Sequence, residues 1–97
     1  MQLTIWKFPF PTREGFTLDM PQHAQILSLQ VQGEQPCIWA LVDPAAPVED
    51  RWFRVFGTGH EITVEGTFIG TYQLDGGRSV FHVFEEADPK GSFPSDG

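Results

Sequence analysis

The run Arg51 to His60, RWFRVFGTGH, gathers two guanidiniums, an indole, a hydroxyl and an imidazole around an open glycine turn. The chain as a whole holds only six Lys and Arg against thirteen Asp and Glu, so this is where an anion would be met. Read as a strand, the run alternates, with Arg51, Phe53 and Val55 on one face and Trp52, Arg54 and Phe56 on the other. An arginine beside aromatic rings can stack on them and still present a planar fork of donors to phosphate or carboxylate. Gly57-Thr58-Gly59 then offers backbone N–H groups unshielded by large side chains. The candidate ligand-binding set is therefore Arg51, Trp52, Arg54, Thr58, Gly59 and His60. The competing reading is a plain strand and turn, with both arginines covering exposed rings and pairing with Glu49, Asp50 or Glu61.

Other chemistries lack their residues. HEITVE, from His60 to Glu65, begins like a zincin signature but has Val64 where the second histidine belongs, and its pattern is not helical. Cys37, His23, His60 and His82 have no ligand-like spacing, so no metal and no cofactor are expected. Cys37 opens an apolar strand, where a thiol behaves as a small hydrophobe. Pairs such as Glu49-Asp50 and Glu61 with Glu65 read as exposed loop acids, with no apolar pocket to set an acid apart from a base. His82, between Val80 and Phe84, reads as a satisfied, semi-buried histidine. The expectation is a protein that is not an enzyme.

The elements that would hold this run in place read as strands. Pro and Gly punctuate the chain, and the segments between them alternate with a period of two. LTIWKF is a strand ended by Pro9 and Pro11. FTLDM puts Phe16, Leu18 and Met20 on one face. ILSLQVQ turns Leu27, Leu29 and Val31 inward, and Gly33-Glu34-Gln35-Pro36 reverses the chain into CIWALVD, whose apolar run suits a strand covered on both faces. Trp39 is assigned to the core, and Trp6 and Trp52 to the surface. FIGTYQL and SVFHVFE form a second hairpin around Asp75-Gly76-Gly77, and PQHAQ is the one candidate for a turn of helix. The fold class is all-β: a small single-domain sandwich or partly open barrel of about seven antiparallel strands.

Ninety-seven residues make one domain with one core. The domain is placed at residues 1–86, with 87–97 a flexible acidic tail; the last thirteen residues, EEADPKGSFPSDG, hold four of the acids and one lysine. A net charge of -7 argues against a nucleic-acid polymer as partner, since that mode needs clustered Lys and Arg. A single cysteine, no secretory signal pattern and no membrane-length apolar run point to the cytoplasm and away from the membrane.

With IWKFPFP, FTLDMP, ILSLQVQ, QPCIWALVDP, FRVFGTGH and FIGTYQL in view, the chain resembles a family of small, uncharacterised proteins encoded by bacteriophages and their bacterial hosts. The resemblance spans roughly residues 4 to 84 and leaves the C-terminal tail outside. It implies a phage accessory protein, located in the host cytoplasm, that acts by binding. One expectation is counter-defence by a homo-oligomer that sequesters a small nucleotide-like signal. The alternatives are an inhibitor docking on a host or defence protein, and a minor virion or assembly component.

Overall fold

The computed structural model describes residues 2–87. Seven antiparallel strands follow one another: β1 (Thr4–Pro9), β2 (Gly15–Pro21), β3 (Gln25–Gln32), β4 (Gln35–Val42), β5 (Val48–Gly57), β6 (Gly66–Leu74) and β7 (Ser79–Glu86). They form a three-stranded sheet of order β1-β4-β3 and a four-stranded sheet of order β2-β5-β7-β6. The inner faces of the two sheets pack on one another as a sandwich. The C-terminal tail assigned to residues 87–97 lies, beyond Ala87, outside the described residues.

The core follows from the alternation. Phe16 and Met20 on β2, Ile38, Ala40 and Val42 on β4, Phe53 on β5, Tyr72 on β6 and Val83 on β7 all point inward and are buried. Phe10, from the β1–β2 loop, stacks on Phe16 at 4.5 Å, and Phe16 stacks on Phe53 at 5.1 Å. Offset rings of this kind bring both a large buried area and a favourable ring geometry. Gly70 faces Leu29 where β6 crosses β3, and a Cβ there would stand 3.2 Å from the Leu29 Cβ. The absent side chain sets how closely the two sheets approach.

Turn chemistry explains the reversals. Gly33 and Glu34 have φ of 55° and 72°, the pair of left-handed conformations that a two-residue hairpin loop requires. Asp75, Gly76 and Gly77 are likewise left-handed, at 56°, 66° and 91°, and join β6 to β7. PQHAQ is not helical. Pro21 ends β2, and the N–H of Ala24 donates to the Pro21 carbonyl at 3.1 Å with His23 left-handed, which makes a tight turn into β3.

Two further expectations shift. A bulge between Ile26 and Ser28 changes the register of β3 on β4, so Ile26 and Leu29 pack on the core while Leu27 is exposed. Val31, at the end of the strand, is exposed as well. β4 is sealed along its inner face, and on its outer face only Cys37 is fully buried. Trp39 faces outward between Lys7 and Ser28 and is half-buried, because no third layer covers this sheet among the described residues. Trp6 and Trp52 are surface aromatics, as expected.

Candidate functional site

β5 is the second strand of the four-stranded sheet, and its alternation decides where each residue of the run goes. Phe53 is 1% exposed and Val55 packs beside it on the inner face. Trp52, Arg54 and Phe56 take the outer face, with Arg54 and Phe56 opposite Phe84 and His82 of β7.

Arg51 lies at the inner edge, and each of its three guanidinium nitrogens donates to the chain itself. Its Nε and Nη2 donate to the two carboxylate oxygens of Glu85 at 2.6 and 2.7 Å, and Nη1 donates to the Ala24 carbonyl at 2.7 Å. The Glu85 bonds hold the guanidinium more firmly protonated than usual, against the desolvation that opposes them. Arg51 is thus a clamp between β5, β7 and the β2–β3 turn, with its carboxylate-gripping fork taken by Glu85, and it does not line the groove described below. Glu85 and Glu86, at the end of β7, are internal partners of Arg51 and Arg54.

Arg54 is different. Its nearest carboxylate, on Glu86, is 3.7 Å away, and the arginine side chain remains 36% exposed. Its stem lies over Gly15, where a Cβ would stand 3.3 Å from the Arg54 Cδ. Trp52, 38% exposed, is two positions away on the same face. The two line a groove of about 600 Å³ with Gly15, Thr17, Glu86 and Arg13. That volume suits a small ligand.

Arg13 was not visible as a site residue in the sequence. It is presented by a loop anchored at alternate residues. Phe10 is buried and its N–H donates to the Pro36 carbonyl, Thr12 and Tyr72 share a hydroxyl hydrogen bond of 2.8 Å, and the Glu14 carbonyl accepts from the Val55 N–H at 3.0 Å. Burial pushes the Tyr72 phenol above its ordinary range, and the Thr12 bond works in the opposite direction. Arg13 lies between two of these anchors, exposed, with no ion-pair partner among the described residues.

The glycine turn does not form the expected cradle with the arginines. The His60 N–H donates to the Gly57 carbonyl at 3.1 Å and closes a turn through Thr58 and Gly59, whose φ is 90°. The His60 ring lies over Gly57, where a Cβ would come within 3.1 Å of it. Thr58 is drawn sideways: its hydroxyl bonds His82 Nε2 at 2.7 Å, while His82 Nδ1 bonds the Thr71 hydroxyl at 2.9 Å. His82 therefore has both ring nitrogens satisfied. The structure puts Trp52 and Arg54 together on the wall of this groove, sets His60 apart from Trp52 over Gly57 at the end of β5, and leaves Arg51, Thr58 and Gly59 out of the groove.

Beside the groove the outer face is aromatic. Phe84 makes edge contacts with Phe56 at 5.9 Å and Phe68 at 5.4 Å, and Phe68 is 54% exposed. Among the described residues no cluster of three metal-ligating side chains occurs, and no helix is long and apolar enough to cross a membrane. Cys37 is buried and free.

No curated protein and no solved structure matches the chain. A family model does match, over residues 1–93, and so runs past residue 84 into the C-terminal stretch. On that match the chain belongs to the family described as Domain of unknown function (DUF7352).

Proposed function

We propose that the protein works by binding, without making or breaking bonds, and that its ligand is small, flat and anionic in the manner of a nucleotide. The observation that carries this reading is the pair Trp52 and Arg54, each a little over one-third exposed, on one wall of the groove, with Arg13, which has no ion-pair partner among the described residues, on its rim. An indole offers a stacking surface to a base, and two guanidiniums offer charge-assisted bonds to phosphate. The phage and host context implied by the sequence resemblance gives such capture a use, the sequestration of a defence signal. The exposed ring of Phe68, packed edge-on against the partly buried Phe84, is suited to bury against a second copy, as a homo-oligomer would.

A second reading is docking on a basic host or defence protein. It is favoured by Asp19 and Asp50, which face each other across β2 and β5 on the same outer face, beside exposed aromatic surface.

A melting screen separates the two. A panel of mono-, di- and cyclic nucleotides at micromolar to millimolar concentration should raise the melting temperature by linkage to the folded state, and Arg54→Ala should remove the rise. If the whole panel leaves the transition unmoved, the nucleotide reading is lost and the docking reading takes its place.

A further inference from the structure

We infer that the ligand is a dinucleotide, two bases joined through phosphodiester, with one base in each of two adjoining grooves and the phosphates held on the ridge of Arg13 and Arg54. This rests on the binding function proposed above and names the ligand class of the same site.

The second groove, of about 430 Å³, lies at the C-terminal end of β5 and is lined by Phe56, Gly57, His60, Thr63 and Phe81. It shares Arg13, Glu14 and Arg54 with the first. The two guanidiniums therefore stand between two concave spaces, each within the range of roughly 300 to 1,000 Å³ that holds a small molecule. Each space has a flat surface of its own, Trp52 in one and the imidazole of His60 beside Phe56 in the other. A single base with one phosphate fills one space and leaves the other empty; two bases on either side of a phosphodiester fill both.

Charge supports the diester over a monoester. Each space carries a carboxylate on its wall, Glu86 in the first and Glu61 in the second, and Glu14 is common to both. A terminal phosphate with up to two negative charges would lie against these acids. Each phosphodiester carries one charge and sits on the ridge, where the two cations are, leaving the carboxylates to accept from ribose hydroxyls or base amino groups. The ridge is also prepared in advance. Phe10, Thr12 and Glu14 are anchored around Arg13, and Gly15 gives the Arg54 stem room to lie across β2. Little ordering is then needed when the ligand arrives.

The test is isothermal titration of the full chain with a 3′,5′-linked cyclic dinucleotide of adenine and, separately, with AMP. The dinucleotide should bind at least about 100-fold more tightly, the scale expected when a second contact becomes intramolecular. His60→Ala and Thr63→Trp, both in the exposed second groove, should bring the dinucleotide to within about fivefold of AMP and leave AMP unchanged, whereas Trp52→Ala should weaken both. Melting curves of the variants establish that each remains folded. AMP binding within threefold of the dinucleotide, or equal losses for both ligands in His60→Ala, overturns the inference while the single-nucleotide function stands. Absence of binding by either ligand overturns both.

Discussion

Replacing Arg51 by methionine removes the guanidinium and keeps the stem. It leaves the Glu85 carboxylate, four-fifths covered, without its counter-charge, and the Ala24 carbonyl without its donor. Breaking a fully buried pair by removing one partner costs about 3 to 5 kcal/mol. Water reaches both side chains here, at 17% and 20% exposure, so about 2 to 3 kcal/mol is the expected loss. That is a large share of the roughly 5 to 15 kcal/mol of a whole domain, and corresponds to a fall of about 10 to 20 °C in Tm at this size. Urea unfolding followed by tryptophan fluorescence measures it, and Glu85→Gln with the double variant completes the cycle. The double variant should cost at least about 1 kcal/mol less than the sum of the singles. At a temperature where Arg51→Met is folded, it should still be stabilised by the ligand that stabilises the parent. A single-variant loss below about 0.5 kcal/mol, or selective loss of ligand binding in a stable variant, would refute the assignment of Arg51 to the fold.

Two further outcomes are expected. Asp19 titrates above the usual carboxylate range, first because of its hydrogen bond with Asp50 and then because of the Asp50 charge, so the folded state takes up this proton more readily than the unfolded one. The group therefore favours folding below the ordinary Asp pKa and loses that contribution as pH rises through the raised value. Asp50→Asn should raise Tm at pH 7, and its advantage over the parent should vanish in parallel melts below about pH 3.5. Gly66→Ala places a Cβ 2.0 Å from the Glu85 carbonyl oxygen, so β6 and β7 must part at that point, with a loss of at least about 2 kcal/mol by urea unfolding.

The strands were legible because alternation and turn residues agree. Phe16 and Met20 pack inward as their spacing requires, and Gly33-Glu34 and Asp75-Gly76-Gly77 reverse the chain where left-handed conformations were called for. The bulge at Ile26 and Ser28 was not legible, since one inserted residue leaves the apolar pattern of ILSLQVQ intact while moving which residues face the core. Trp39 looked internal because apolar runs suit doubly covered strands, and only the topology shows that its sheet has one covered face. At the site, β5 alternation separated Trp52 and Arg54 from Phe53, but the partner of Arg51 lies 34 residues away and depends on β5 pairing with β7. Arg13 escaped because its role comes from the anchoring of Phe10, Thr12 and Glu14 by distant strands, which FPFPTREG does not display.

The strand order also governs how the molecule can assemble. Of its five ladders, only β3 with β4 and β6 with β7 join neighbours along the chain. The others close long loops before any contact repays the lost chain entropy, a pattern associated with slow folding. β7, the last of the described strands to leave the ribosome, occupies an interior position between β5 and β6. A nascent chain therefore carries bare edges on both neighbours until β7 emerges, and a truncation ahead of Ser79 would make that sticky intermediate permanent.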